Sequence, residues 1–317
     1  SVMSLTLENE FAAGAVNVSY APVTGDQANA VQDVAGNDAD SGFSSGILAD
    51  GYIRDAKVYI DTDNDGKADP DIDFYVGLTD DNGNFFLPTN TPTGAIIAVG
   101  GVNIDTGLPN TTALKAPAGS TTVNPLTTLV QAVVEASGGT VDAATAASTV
   151  AMALGIELPN GASLTRYDPI ASENLVAQKA AAQIATVIAL ADANGSAGAG
   201  ESVVANLAQQ VESAVGATVD LSDSSTLAAV LADSGLNAEK ISEAADAATA
   251  IASATDLSGV SSAQSQFLDR IAPAAPTAPD LEAASDSGAS STDNITNLTA
   301  GTIRVTLNTS ATDGTAV

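Results

Sequence analysis

The sequence predicts an α+β protein of several domains, in which a small antiparallel β-sandwich is followed by an alanine-rich helical bundle and a further β segment. Three observations support this prediction. The chain has 317 residues, more than one hydrophobic core usually serves. Short strand-like runs fill one stretch, helical periodicity fills the next, and a proline-rich segment then leads into a polar region with one strand-like run.

Residues 1–45 are predicted to form an extended N-terminal segment with some β-structure. This stretch is polar and rich in Gly, Ala and Asp. One alternating run, residues 16–20, suits a strand. Residues 36–45 are predicted to form a loop.

The β-sandwich is predicted to occupy residues 46–120. Alternating or continuous apolar runs occur at residues 56–60, 74–78, 84–87 and 95–99, and turn residues separate them. One of these turns contains Asn-Gly, a sequence typical of β-hairpins. Strands this short at this spacing favour a small antiparallel sandwich, which is expected to end near residue 119.

Residues 121–271 are predicted to form the helical bundle. Asn124 and Pro125 suit the cap and first position of a helix, and the same pair type at Asp168 and Pro169 predicts the start of the longest one. Further helices are predicted at residues 201–215, 224–232, 238–254 and 263–271. Aromatic residues make up only 3% of the chain, so close approach of Ala-rich helices must replace large core side chains.

Residues 272–317 are predicted to be a Pro-rich linker followed by β-structure. Three prolines lie close together at its start, and residues 302–307 alternate as a strand does. An independent sandwich usually takes about 100 residues. The segment is therefore expected to open a further domain or to supply strands that a neighbouring molecule completes.

Composition excludes several functions. The formal net charge of −29 opposes contact with nucleic acid and with anionic membrane surfaces, and no run reaches the roughly 18 apolar residues typical of a spanning helix. The chain has no His and no Cys, so zinc sites and the usual triads and dyads lack their residues. No active-site constellation is evident, and we expect a protein that is not an enzyme.

An acidic loop after residue 60 predicts a Ca²⁺ site. Carboxylates at alternate positions followed by glycine are typical of loops that wrap oxygen ligands around calcium. The expected twelfth-position Glu is replaced by Ile72, which favours a β-sandwich calcium loop over an ordinary EF-hand. The alternative is a solvated acidic turn with no ion. The predicted ligands are Asp61, Asp63, Asp65, the carbonyl of Lys67, Asp69, either Asp71 or Asp73 in place of the missing Glu, and Asp80 from the adjacent strand.

Two stretches resemble modules of bacterial surface proteins. The run DGYIRDAKVYID at residues 50–61, with TDDNGNF at residues 79–85, is similar to transthyretin-like or collagen-binding B-type modules. The run APAAP at residues 272–276, with TDNITN at residues 292–297, resembles the start of the immunoglobulin-like repeats of giant biofilm adhesins. This resemblance implies that the C-terminal region is a partial immunoglobulin-like β segment.

A third stretch resembles large calcium-binding proteins of the repeats-in-toxin type. Its motifs are LKAPAGS at residues 114–120, VNPLTTL at 123–129, YDPI at 167–170 and QKA at 178–180. The glycine-rich nonapeptide repeats of that class are absent, which implies an extender or N-proximal part. The resemblances together imply secretion, display on the bacterial cell surface and stiffening by calcium.

The sequence therefore predicts a calcium-stabilised extracellular segment that acts in cell attachment and biofilm cohesion. The expected partners are calcium, neighbouring domains or copies of the same protein, and a cell-surface or polysaccharide ligand whose identity stays open. One alternative is a self-assembling subunit of a surface layer or filament, joined by β-strand addition. A more distant alternative is a carbohydrate-active enzyme that uses paired carboxylates.

Overall fold

The computed structural model describes residues 43–88, 90–214, 216–271, 280–281 and 303–304. The predicted strand at residues 16–20 lies outside these residues. The chain divides into two units, Ser1–Ser44 and Ser45–Val317, and nearly all described residues belong to the second. Both strands and helices are present in it, which confirms the α+β class.

The β region contains short strands arranged in small sheets. Within the described residues the four predicted strands of this region are present together with five more. The strands are β1 (Phe43–Leu48), β2 (Ile53–Arg54), β3 (Lys57–Ile60), β4 (Phe74–Leu78), β5 (Asn84–Pro88), β6 (Ile96–Val99), β7 (Val102–Asn103), β8 (Leu114–Ala116) and β9 (Thr122–Val123). The sheet orders are β4-β3-β6-β8, β5-β1-β9 and β2-β7.

The sheet order departs from a simple series of hairpins. β4 and β5 are joined by the predicted Asn-Gly turn, yet they belong to different sheets. β1 pairs with β9 in parallel, Ile47 opposite Thr122, so the β region closes beyond the expected end near residue 119. The prediction of a loop at residues 36–45 is wrong for its last residues, because β1 begins at Phe43. Periodicity could not reveal β1, because Ser and Gly interrupt its apolar residues.

One cluster of buried side chains draws on both larger sheets. Leu48 and Phe85 come from β1 and β5, and Val58, Ile96 and Leu114 come from β3, β6 and β8. All five are essentially inaccessible to solvent. Position 46, beside this cluster, must be glycine, because a Cβ there would overlap the ring of Phe85. Burial of these side chains therefore holds the two sheets together.

The helical region contains α1 (Pro125–Ala136), α2 (Ala143–Ala153), α3 (Leu175–Asn194), α4 (Ala199–Ser213), α5 (Ser224–Val230), α6 (Ala238–Ala252) and α7 (Leu257–Ile271), with a 3-10 turn at Leu164–Arg166. The predicted start of the longest helix at Pro169 is wrong. Asp168 caps an isolated turn by accepting the N–H groups of Ile170 and Ala171. Asn174 caps α3 instead, by accepting the N–H of Ala177 at 3.1 Å.

α3 lies at the centre of the helical core. Small residues along it, Ala181, Ala182 and Ala185 among them, are almost completely buried against neighbouring helices. By length and composition α3 would suffice to cross a membrane, contrary to the expectation from the sequence. However, 72% of its apolar window is buried inside the protein, which is typical of a core helix.

The β region and the helices meet directly at β8 and α1. Asn124 is fully buried and caps α1, accepting the N–H of Thr127 at 2.8 Å while its own N–H donates to the Thr127 hydroxyl. The Thr127 hydroxyl also donates to the carbonyl of Lys115 on β8, and the Lys115 N–H donates to the Thr128 hydroxyl. Helix capping and sheet docking thus share the same side chains.

At the C-terminus the structure describes a pair of two-residue strands. β10 (Asp280–Leu281) pairs antiparallel with β11 (Ile303–Arg304). β11 lies within the strand predicted at residues 302–307, and the rest of that prediction falls outside the described residues.

Candidate metal centre

The acidic loop connects β3 to β4 and begins where a central strand ends. β3 lies between β4 and β6, and its pairing with β6 continues through the Asp61 N–H, which donates to the Ala95 carbonyl at 2.9 Å. The loop then runs to Phe74, which opens β4. Asp61 is therefore positioned by the sheet itself, whereas the following residues are positioned by the loop.

Asp61 organises the first half of the loop. Its side chain is only 2% exposed, and its two carboxylate oxygens accept the N–H groups of Asn64 at 2.7 Å and Gly66 at 3.0 Å. Asn64 and Gly66 both have positive φ, 61° and 76°, which lets the loop curl around this carboxylate. Each carboxylate oxygen has two acceptor sites, so Asp61 retains capacity for a further ligand.

Asp61, Asp63 and Asp65 converge at one place. One carboxylate oxygen from each lies within 4.8 Å of the others. Asp63 and Asp65 are exposed, and each also accepts a backbone N–H two residues further on. A hydrogen bond from the Asp65 N–H lowers the pKa of Asp63, but desolvation and the charges of Asp65, Asp73 and Asp61 outweigh it, so the pKa lies above its usual value. The carboxylates of the cluster thus repel one another.

Asp73 closes the second half of the loop. It is 7% exposed, and its oxygens accept the N–H of Thr62 at 2.9 Å and the N–H of Asp69 at 2.8 Å. Asp73 therefore ties the two ends of the loop together. Its charge also contributes to the raised pKa of Asp63. Ile72, at the position where an EF-hand has Glu, is 54% exposed.

The remaining predicted ligands lie outside the three-carboxylate cluster. Asp69 accepts the N–H of Asp71 at 3.1 Å, and Asp71 is exposed. Lys67 donates its N–H to Asp65 at 2.8 Å. Asp80 lies in the turn before β5, where its carboxylate accepts the backbone and side-chain N–H groups of Asn84. Desolvation raises the pKa of Asp80, but these hydrogen bonds outweigh it and hold the pKa below its usual value.

The donor set of this loop suits a hard divalent cation. Its side-chain donors are carboxylate oxygens, the ligands that Ca²⁺ and Mg²⁺ prefer. The three converging carboxylates do not by themselves distinguish between these two ions. Their geometry permits a metal centre in which Asp61, Asp63 and Asp65 supply the first ligands and Asp73 fixes the loop ends.

Two charged residues beside the loop could not be found from the sequence. The position that a Cβ on Gly66 would take lies 3.1 Å from the Lys115 ammonium and 3.8 Å from a carboxylate oxygen of Glu135. These side chains come from β8 and α1, far from the loop in sequence. The acidic loop thus abuts the junction between the sheet and the helices.

The chain shows no match to known proteins in three comparisons: with protein-family models, with curated proteins and with solved structures.

Proposed function

We propose that this chain is a non-enzymatic, calcium-stabilised segment of an extracellular bacterial surface protein that acts in cell attachment and biofilm cohesion. The observation that carries the proposal is the approach of the Asp61, Asp63 and Asp65 carboxylate oxygens to within 4.8 Å at the end of a central strand. The resemblance of the β region, the helical region and the tail to exported bacterial proteins supports the extracellular location. We interpret the packed sheets as a small β-sandwich, the helices as a bundle, and the C-terminal strand pair as the start of an immunoglobulin-like domain.

Calcium would act here by offsetting charge at a structural junction. The loop starts at a central strand and abuts β8 and α1, so a divalent ion held by its carboxylates would stiffen both the sheet and the adjoining helix. Calcium sites of extracellular modules have Kd values of about 10⁻⁴ to 10⁻³ M. At ten times Kd, one site stabilises the folded state by about 1.4 kcal/mol.

Thermal unfolding measured against calcium concentration tests this proposal. We expect Tm to rise with calcium, to fall on addition of EGTA, and to respond less to magnesium, which demands a stricter octahedral geometry. Asp63→Asn should abolish most of the calcium response. Asp81→Asn, which removes the same charge from an exposed turn residue of the β region, should leave the response intact. A wild-type Tm that is indifferent to both calcium and EGTA would refute the proposal.

The filament-subunit alternative is favoured by one feature of the sheet. Among the described strands β4 lies at the edge of its sheet, and two of its large apolar side chains, Tyr75 and Leu78, are each 49% exposed. An edge strand with exposed apolar side chains can accept a strand from another molecule. Electron microscopy with calcium separates the two proposals: regular polymers support the filament subunit, and dispersed particles support the adhesive segment.

A further inference from the structure

A cleft of about 1000 Å³ opens between the acidic loop and the helices. Residues 65–68 of the loop and Lys115 of β8 line one side, and α1, α3 and α4 line the other. The deep part is formed by small or aliphatic side chains, among which Ala132 and Ile188 are buried and Val204 is half-buried. Among the described residues no aromatic side chain lines the cleft, so none of them offers a ring for a ligand to stack on.

The helical side of the cleft has a rim of carboxylates. Glu135, Asp192, Glu201 and Glu212 all line it and are all exposed. Within the described part of the chain none of the four forms an ion pair, since the two pairs there are Arg54–Asp55 and Lys240–Glu243. Desolvation raises the pKa of Asp192; the Gly200 N–H opposes this and the charge of Glu201 adds to it. Among the described residues no ion pair therefore neutralises this rim, although the Lys115 ammonium and Glu135 both lie beside Gly66.

The opposite side is less negative. Asp65 faces the cleft with Lys67 and Lys115, and neither lysine is in an ion pair within the described residues. Of the residues that the structure describes, five carboxylates and two lysines line the cleft, a net charge of −3. A cationic ligand would be directed away from the lysines and toward the rim on the helices.

We propose that this cleft binds a lysine- or arginine-containing segment of a partner protein. Such side chains combine an apolar stem with a charged head. The stem matches the aliphatic deep part at Ala132, Ile188 and Val204, and the head matches the carboxylates of the rim. The cleft adjoins the metal loop through Asp65, but its four rim carboxylates belong to the helices and are not among the proposed metal ligands.

The composition of the chain indicates that this segment comes from a different protein. The chain has only 9 Lys and Arg against 38 Asp and Glu, so two copies repel each other. Residues 1–42 contain no Lys or Arg and cannot supply a cationic segment. Charge complementarity therefore favours a basic partner over a second copy of this chain.

Fluorescence anisotropy with a labelled peptide of alternating lysine and alanine tests the proposal. We expect this peptide to bind, binding to weaken as salt rises, and the same peptide with every lysine acetylated not to bind. Replacing both Glu201 and Glu212 by Gln should lower the affinity for the peptide about tenfold. Each exposed charge pair that is lost should lower the affinity about threefold. Circular dichroism checks that the variant is folded.

The matched control removes the same charge elsewhere. Glu157→Gln with Glu239→Gln changes two exposed carboxylates that do not line the cleft, and this variant should bind as the wild type does. Equal weakening by both double variants, binding of the acetylated peptide, or no binding of the lysine peptide would each overturn the proposal. Repeating the measurement in EGTA keeps this test separate from that of the metal site. The rim carboxylates do not depend on bound calcium, so the peptide should still bind after calcium is removed.

Discussion

Asp50 lies between the β region and α7 with its carboxylate shielded from solvent. It is 5% exposed, and its side-chain partner is the Gln264 amide of α7 at 3.4 Å. Burial raises the pKa of Asp50 from 3.8 to about 6; the hydrogen bond from Gln264 opposes this rise and the charge of Asp105 adds to it. Burial thus makes the ionised form of Asp50 costly, and the group is ionised at neutral pH only against this cost.

Replacing Asp50 by Asn should stabilise the protein at neutral pH. Between pH 3.8 and about 6 the folded state holds a proton that the unfolded state releases, so the free energy of unfolding falls as pH rises through this window. The full penalty above pH 6 is about 3 kcal/mol, from about 1.4 kcal/mol per pKa unit. Asp50→Asn should recover about 1 to 3 kcal/mol of it at pH 7.5, and the gain should vanish below pH 4.

Urea unfolding of the wild type and the Asp50→Asn variant from pH 3.5 to 8 measures this difference, in which the other carboxylates cancel. Asp246→Asn, an exposed change on α6, is the control and should change stability little at any pH. An Asp50→Asn protein that is less stable than the wild type at pH 7.5 contradicts the prediction.

Gly66 is required by the curl of the acidic loop. Its φ is +76°, and alanine in this conformation costs about 1 to 2 kcal/mol. Gly119, in the turn between β8 and β9, has a similar φ of +78° and no atom near a new Cβ. Both Gly→Ala variants should lower Tm to a similar extent, but only Gly66→Ala should also reduce the increase in Tm on adding calcium. If adding calcium raises the Tm of Gly66→Ala as much as that of the wild type, the loop does not bind the metal.

At the scale of single elements, the cap of α1 differs from the other caps because it is buried. Asn124→Ala leaves the Thr127 N–H without its side-chain acceptor in a place that water does not reach. A buried unsatisfied donor costs about 1 to 3 kcal/mol, so we expect a loss of about 2 kcal/mol. Asn237→Ala removes the exposed cap of α6 and should cost about 0.5 to 1 kcal/mol. The urea midpoints of the two variants, measured at an unchanged m value, compare their losses of unfolding free energy. Equal losses would contradict the prediction.

Several element boundaries could be predicted because local residues determine them. Asn124 and Pro125 specify the start of α1, and alternation specifies β3 and β4. The sequence does not predict α2, because its Ala-rich residues give little apolar periodicity. The parallel pairing of β1 with β9 joins residues far apart in sequence, and no local pattern encodes it.

The same distinction holds for the candidate site. The positions of Asp61, Asp63 and Asp65 follow from their spacing, since alternate residues in a curled loop converge. Lys115 and Glu135 reach the loop only through the docking of β8 on α1, which the sequence does not show. The cleft, with its rim carboxylates on three helices, has the same tertiary origin.

At the scale of the whole molecule, the β region and the helices share contacts that cross the predicted boundary between residues 120 and 121. The Thr127 hydroxyl donates to the Lys115 carbonyl at 2.8 Å, and the Tyr52 hydroxyl donates to Asp168 at 3.0 Å. Desolvation and the nearby Asp168 carboxylate raise the pKa of Tyr52 to about 12, so this hydroxyl remains a donor at neutral pH. Because these contacts are lost together, we expect both regions to unfold in one transition.

Urea unfolding with two probes tests this cooperativity. The chain has no Trp, so Tyr75→Trp on the exposed face of β4 provides a fluorescence signal from the β region alone, while ellipticity at 222 nm reports the helices. The two curves should coincide in midpoint and slope, since shared junction contacts make partial unfolding costly. The wild-type ellipticity curve is the control for the substitution. Separate midpoints would mean that the helices remain folded without the sheet, and calcium at the acidic loop would then stiffen the β region only.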